Sequence, residues 1–83
     1  MSYEVIWDVR ALSQATAFLK DDQHGREQLF AAVDLLAEDP RPNGSAEYGS
    51  PDVRRLYVGR YRVLYEITEA TVTVVVIHTG RVG

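Results

Sequence analysis

Residues 53–67 read VRRLYVGRYRVLYEI, and this stretch decides the fold. Two runs of β-forming residues, 53–58 and 61–68, flank the dipeptide Gly59-Arg60. A two-residue loop that begins with glycine is typical of a β-hairpin with a type II′ turn. The stretch also carries a cluster of positive charge in a chain whose net charge is −3. Four of the nine basic residues of the chain lie in it: Arg54, Arg55, Arg60 and Arg62.

A two-residue loop fixes the register of this hairpin. Counting back from the turn places Tyr57 opposite Arg62 and Arg55 opposite Leu64, and opposite residues point to the same side of a sheet. The other side is then apolar and needs to be covered; it carries Leu56, Val58, Tyr61, Val63, Tyr65 and Ile67. Because guanidinium groups match the oxygens of a phosphate, the arginine-bearing side predicts an anion-binding surface on which Tyr57 stacks on a base.

The rest of the chain supplies the cover and the other strands. Residues 3–7 predict a first strand, and a helix follows Asp8 as its N-cap and ends near Asp21-Asp22. A second amphipathic helix follows Gly25 and ends before Pro40, so the two helices form an antiparallel hairpin. Residues 40–52 contain all three prolines of the chain and predict a loop.

A third strand of the meander is predicted at 71–78. A two-residue connection at Glu69-Ala70 would pair Thr68 with Thr71 and Arg62 with Ile77. That dipeptide is a poor sequence for a primed turn, so a longer or bulged connection stays open. The predicted fold is therefore α+β: an N-terminal strand, an antiparallel helical hairpin and a three-stranded antiparallel meander, with the helices on one face of the sheet. Residues 1–83 form a single domain.

Charge and composition restrict the function. Residues 1–52 carry ten acidic and four basic side chains, and residues 53–83 carry two acidic and five basic ones, so the halves have net charges of −6 and +3. An anionic ligand is therefore expected at the sheet, and not along the whole chain. The chain has no cysteine, no apolar run long enough to span a membrane and no signal-peptide pattern, which favours a cytoplasmic protein. The two histidines lack the spacing of a metal site, and no cofactor is expected.

These elements resemble the RelE/ParE superfamily, the toxins of bacterial type II toxin–antitoxin pairs. The matching features are a basic strand, a turn with Gly59, the run 61–65 (YRVLY), an apolar strand, and Gly80-Arg81. The resemblance covers nearly the whole chain and implies a cognate antitoxin as partner. Members similar to RelE cut mRNA on the ribosome, and members similar to ParE inhibit DNA gyrase, so both the ribosome with its mRNA and the gyrase are implied targets.

The resemblance also implies roles for individual residues. In the RNA-cutting branch, the catalytic or phosphate-stabilising arginine corresponds to Arg62, and basic residues on the preceding and following strands correspond to Arg55 and Arg81. The second basic position of the preceding strand is Tyr57 here. After Arg81 the family pattern continues with a further basic residue, where this chain has Val82. Arg54 and Arg60 join Arg55, Tyr57 and Arg62 as candidate RNA-binding residues.

Cleavage of RNA through its 2′-hydroxyl needs a base, an acid and a group that stabilises the charged phosphorane. The arginines supply the charge, whereas Tyr57 and Glu66 are the candidates for the base. We therefore expect an RNA-cleaving activity that depends on the ribosome. Two other possibilities stay open: a gyrase inhibitor without enzymatic activity, and a degenerate member that binds antitoxin alone. For Arg54 and Arg60 the simpler explanation is a solvated charge that prevents aggregation.

Overall fold

The computed structural model describes residues 2–18, 20–69 and 73–81. Within these residues, two helices and five strands follow one another along the chain. They are β1 (Glu4–Trp7), α1 (Val9–Phe18), α2 (Gln23–Leu35), β2 (Ser45–Ser50), β3 (Val53–Val58), β4 (Tyr61–Thr68) and β5 (Thr73–Arg81). The strands form one sheet in the order β1-β5-β4-β3-β2, in which β1 pairs with β5 in parallel and the other neighbours are antiparallel. The α+β prediction, with helices on one face of the sheet, is confirmed.

Aspartates start both helices. The Asp8 side chain accepts a hydrogen bond from the Arg10 N–H at 2.9 Å, as expected for an N-cap. The second helix begins earlier than predicted, because the Asp22 carboxylate accepts the Gly25 N–H at 2.9 Å and so places Gly25 in the first turn. The first helix, α1, ends at Phe18, whereas the sequence predicted an end near Asp21-Asp22. Residue 19 lies outside the described residues.

The core lies between the helices and one side of β3 and β4. Strand β4 alternates between buried and more exposed positions along its whole length, which is the pattern of a strand covered on one face. The buried apolar residues are Ala11, Ala15, Leu29, Val33, Leu36, Leu56, Tyr61, Val63, Tyr65 and Ile67. The apolar side predicted for the hairpin is thus the side that the helices cover. Neither described helix is long and apolar enough to cross a membrane.

Tyr65 ties the core to the segment that follows α2. Its ring is fully buried, and its hydroxyl donates a 2.7 Å hydrogen bond to the carbonyl oxygen of Pro40. Burial raises the pKa of the Tyr65 hydroxyl, so it stays protonated and remains a donor.

We expect the Tyr65→Phe substitution to lower the free energy of unfolding by about 1–3 kcal/mol, because it leaves the Pro40 carbonyl without its donor inside the protein. Urea denaturation measures the difference. Tyr48→Phe is the matched control, because Tyr48 is 51% exposed and water replaces its hydroxyl, so a change within about 0.5 kcal/mol is expected. Equal effects of the two substitutions would contradict the assigned role of the buried hydrogen bond.

The register of the central hairpin is the predicted one. Val58 pairs with Tyr61, Tyr57 with Arg62 and Arg55 with Leu64, around a two-residue turn in which Gly59 has a φ of 59°. A positive φ at this position suits glycine, which has no Cβ to clash with the backbone.

The pairing of β4 with β5 differs from the two-residue-loop prediction. Thr68 pairs with Thr73, two residues beyond the predicted Thr71, and an irregularity between Leu64 and Tyr65 adds one more residue. As a result Arg62 lies opposite Gly80, and not opposite Ile77. Of the two alternatives that the sequence left open, a longer or a bulged connection, the longer one is correct, and the irregularity lies within the pairing of β4 with β5. Residues 70–72 lie outside the described residues.

The prediction of a loop across 40–52 is wrong for its second half. Residues Ser45–Ser50 form β2, which pairs with β3 and becomes an edge of the sheet. Arg54 helps to hold this strand, since its Nε donates to Ser45 Oγ at 2.9 Å and its Nη2 donates to the Ser45 carbonyl at 3.2 Å. The sheet is therefore wider by one strand than the sequence indicated.

Candidate functional site

The site lies on the side of the sheet that the helices do not cover. Strands β3 and β4 place Tyr57 beside Arg62 and Arg55 beside Leu64 on this side. Arg62 and Tyr57 are exposed, and Arg55 is half-buried. The structure thus brings together the three residues that the sequence grouped: Arg55, Tyr57 and Arg62.

Arg55 is held between two aromatic rings. Its Cζ lies 5.4 Å from the ring centroid of Tyr48 and 5.2 Å from that of Tyr57, which are distances of cation–π contacts. Its Nε is buried and has no hydrogen-bond partner among the described residues. A buried donor without an acceptor is unfavourable by about 1–3 kcal/mol. The two rings therefore restrict the Arg55 side chain, while its Nε–H group has no acceptor among the described residues.

Of the described residues, four line an open cavity of about 170 Å³: Tyr48, Arg55, Arg62 and Leu64. This volume is below the roughly 300–1,000 Å³ of pockets that enclose a small-molecule ligand. A phosphate and part of what it is attached to would fit, with the remainder lying across the open sheet. The site is therefore suited to one segment of an extended anion and not to an enclosed metabolite.

The electrostatics of the site favour an anion. The ion pairs between described residues are formed by Arg41 with Asp52 and Glu69, away from this cavity, so Arg55 and Arg62 have no carboxylate partner in the described part of the chain. Gly80 lies opposite Arg62 on β5 and contributes no side chain there. Two guanidinium groups on one rim, with no carboxylate partner among the described residues, attract phosphate and can bind it in a bidentate way.

Other candidates lie away from this cavity. Glu66 shares the sheet face but pairs with Val53, four residues along β4 from Arg62, and lines a different depression with Asp52 and Glu69. Arg54 pairs with Tyr65, on the side facing the helices, where it bonds Ser45. The structure therefore does not bring Glu66 or Arg54 to the arginine cavity.

Arg60 and Arg81 lie near the start of β4. Arg60 is in the turn and lines a separate cavity of about 590 Å³ with Asp22 and His24. The backbone of Arg81 pairs with Tyr61, next to the Arg62–Gly80 pair, and its side chain is outside what the structure describes. No group of three His, Asp or Glu side chains among residues 2–18, 20–69 and 73–81 could hold a metal ion.

Tyr48 is the site residue that the sequence did not indicate. It lies on β2, which the prolines nearby had suggested was a loop, and it was not among the candidates. A signal was available in hindsight, because a tyrosine followed by glycine within a polar segment is compatible with a bulged edge strand.

The start of β4, which carries Arg62, is anchored to helix α2. The Tyr61 hydroxyl donates a 2.7 Å hydrogen bond to Asp22 Oδ2, while Asp22 Oδ1 accepts the Gly25 N–H. Both bonds favour the ionised carboxylate, so they hold the pKa of Asp22 below its ordinary value of 3.8, the bond from Tyr61 most strongly. The Asp22 carboxylate thus connects the N-terminus of α2 to Tyr61, the residue before Arg62.

This anchor predicts a pH dependence of stability. Because the folded pKa of Asp22 is below the unfolded one, its contribution is complete above pH 3.8 and is lost as the pH falls through the lower folded value. We expect Asp22→Asn to lower the thermal midpoint of unfolding at neutral pH. The difference in midpoint between wild type and Asp22→Asn should then shrink as the pH falls below 3.8. Asp21→Asn controls for the change in net charge. A difference between wild type and Asp22→Asn that is the same at every pH would contradict the anchor.

Comparison with known proteins identifies the class that this fold and arginine-bearing sheet define. An arginine-to-alanine double mutant of the E. coli toxin RelE is 30% identical, with a TM-score of 0.79 over 98% of this chain and 84% of that one. The toxin-antitoxin complex RelBE of E. coli gives 28% identity and a TM-score of 0.81 over 99% of both chains. The chromosomal ParDE system of P. aeruginosa, at 12% identity and a TM-score of 0.78, shares the fold over 99% of this chain and 98% of that one. The protein is therefore a toxin of the RelE/ParE class.

A family model makes the assignment specific. The chain belongs to the ParE toxin family of type II toxin–antitoxin systems, whose model matches residues 5–82. The resemblance stated from the sequence is thereby confirmed. A search among curated protein sequences finds no significant match.

Proposed function

We propose that this toxin acts on RNA through its arginine-bearing sheet face, as a ribosome-dependent mRNA endoribonuclease that inhibits translation. The observation that carries the proposal is the cavity at which Arg55 and Arg62 meet without a carboxylate partner in the described part of the chain. An RNA backbone is an extended chain of phosphates, and the cavity is open enough to take one of them while the strand continues across the sheet.

The chemistry assigned to the chain is charge stabilisation. Attack of a 2′-hydroxyl on the adjacent phosphate forms a phosphorane with additional negative charge, and a preorganised guanidinium stabilises it more than the ground state. Arg62 is exposed and positioned to do this, and Arg55 is fixed between Tyr48 and Tyr57. Arg81 is a further candidate through its family position.

The site has few side chains that could act as a general acid or base. The ring of Tyr57 packs on Arg55, and Glu66 lines a separate depression. A general base needs to come within hydrogen-bond distance of the 2′-hydroxyl. We therefore propose that the ribosome aligns the 2′-hydroxyl with its phosphate, and that the toxin contributes mainly binding and charge. Free RNA should be cut far more slowly than mRNA on ribosomes.

The partner proposed for this chain is a cognate antitoxin. Several solved structures of similar fold are toxin-antitoxin complexes, among them the RelBE complex of E. coli. Co-expression with the product of a small neighbouring reading frame should restore growth and should yield a complex on purification. Arrested growth despite stable co-expression would exclude that reading frame as the antitoxin.

A second candidate function is inhibition of DNA gyrase without catalysis. Two observations favour it: the matching family model is that of ParE toxins, and the candidate base Glu66 lies apart from the arginine cavity. A third possibility, a toxin that has lost its activity and keeps antitoxin binding, would leave growth unaffected at any level of expression.

One pair of assays separates these functions. Purified toxin is added to a translating extract, and the 5′ ends of the mRNA are mapped by primer extension; in parallel, it is added to a gyrase supercoiling reaction. RNA cleavage predicts new 5′ ends on ribosome-bound mRNA and normal supercoiling. Blocked supercoiling with intact mRNA would assign the gyrase function instead. If both reactions proceed unchanged, the RNA-cleaving proposal is wrong.

A further inference from the structure

Tyr48 reaches the site through a bulge in the edge strand. Glu47 pairs with Arg54 and Ser50 pairs with Val53, so β2 advances three residues while β3 advances one. Tyr48 and Gly49 are the additional residues, and Gly49 has a φ of 79°, which glycine adopts without strain. Bulges of this kind change the direction of a side chain and are common beside active sites.

The bulge leaves the Tyr48 ring partly free. Tyr48 stays 51% exposed although its ring contacts the Arg55 guanidinium. Ala46, which has a small side chain, lies opposite Arg55 on β2. An aromatic surface is thus available to solvent at the rim of the cavity that Arg62 also lines.

The cation–π contact with Arg55 accounts for an aromatic residue at position 48, but it does not require that half of this residue stay exposed. A partly exposed aromatic ring, beside two guanidinium groups that have no carboxylate partner among the described residues, is the combination that proteins use to bind single-stranded nucleic acid. The cations bind the backbone, and a base stacks on the ring. An aromatic ring together with two guanidinium groups is therefore more selective for single-stranded nucleic acid than positive charge alone.

We propose that Tyr48 is a stacking platform for a nucleobase, so that the site binds single-stranded RNA by a phosphate and by the base of an adjoining nucleotide together. Arg55 and Arg62 contact the phosphate, and the base of an adjoining nucleotide lies on the exposed part of the Tyr48 ring. The inference rests on the proposed action on RNA. Stacking involves the faces of the bases and not their hydrogen-bonding edges, so all four bases are accepted.

The test measures binding of a short fluorescein-labelled single-stranded RNA by fluorescence anisotropy. The riboses carry 2′-O-methyl groups, which prevents cleavage during the measurement. The second probe is the same oligomer with abasic sites, which keeps the phosphates and removes the bases. Wild type is compared with Tyr48→Phe, Tyr48→Leu and Tyr48→Ala, and circular dichroism with urea denaturation confirms that each variant is folded.

Loss of one stacked base weakens binding about five- to 150-fold. We expect this loss for Tyr48→Ala with the intact RNA and a much smaller loss with the abasic probe, because Arg55 keeps its contact with Tyr57. Tyr48→Phe should bind as wild type does, because it keeps the ring, whereas Tyr48→Leu should bind about as weakly as Tyr48→Ala.

Salt dependence separates stacking from charge. The logarithm of the association constant falls with the logarithm of the salt concentration in proportion to the number of phosphate contacts, by about 0.7 per contact for a single strand. Arg62→Ala should reduce this slope by about that amount. Tyr48→Ala should lower the affinity equally at all salt concentrations and leave the slope unchanged, since tyrosine carries no charge.

Three outcomes with the variants would overturn the platform: unchanged binding of Tyr48→Ala, wild-type binding of Tyr48→Leu, or an equal loss of Tyr48→Ala binding with the abasic probe. Failure of wild type to bind either probe would overturn it as well. These outcomes are distinct from failure of the proposed function. If the toxin cuts ribosome-bound mRNA and the Tyr48 substitutions leave RNA binding unchanged, the proposed function stands and the platform does not. Base-dependent RNA binding with normal translation would keep the platform and remove the function.

Discussion

Arg62→Ala is expected to abolish the growth arrest caused by expression of the toxin without an antitoxin. Arg62 lies on the central strand β4 with its side chain exposed and without a carboxylate partner among the described residues. Removal of one preorganised group that stabilises transition-state charge lowers a rate by about 100- to 1,000-fold. Growth curves after induction, together with mapping of mRNA 5′ ends in a translating extract, measure the loss.

Two matched variants make this experiment specific. Arg60→Ala removes the same charge two residues earlier, but Arg60 lines the cavity near Asp22 and His24, so arrest should persist. Arg62→Lys keeps the charge and removes the planar fork of donors, so an intermediate activity is expected. If Arg62→Ala arrests growth as strongly as wild type, the arginine cavity is not the site of action.

Leu29→Ala is expected to produce a large loss of stability. Leu29 is a fully buried residue of α2 in the core, and removal of a buried leucine side chain lowers the free energy of unfolding by about 2–5 kcal/mol. Single domains are stable by about 5–15 kcal/mol in total. Urea denaturation should therefore show a much lower midpoint with an unchanged slope.

Leu35→Ala provides the control on the same helix. The chemical change is identical, but Leu35 is 67% exposed, so its truncation should alter the free energy of unfolding by no more than about 0.5 kcal/mol. Similar losses for the two variants would mean that α2 does not pack with the face that the structure assigns to the core.

The central hairpin was predictable from sequence because two local signals agreed there. Gly59 in a two-residue turn fixes the register, and the alternation of buried and polar residues from Tyr61 to Ile67 fixes the faces. Arg55, Tyr57 and Arg62 followed from that register, which is why the sequence already grouped them.

The neighbours of this hairpin were harder to predict for physical reasons. The apolar run 74–77 has no alternation with which to set a register, and the connection after Thr68 has no turn residue to fix its length. The strand β2 has a sequence of small and polar residues, SAEYGS, with low β propensity. It forms by pairing with β3 and through the contacts of Arg54, so the position of Tyr48 was only weakly indicated before the sheet was known.

The position of Arg55 between Tyr48 and Tyr57 has a consequence for the thermodynamics of binding. A free arginine side chain loses roughly 1.5–2 kcal/mol of rotamer entropy when it is immobilised. Here the two rings restrict its rotamers during folding, before any ligand arrives. This entropy loss therefore lowers the folding stability of the toxin. Little of it is left to oppose binding, so a contact with Arg55 contributes more of its free energy to affinity.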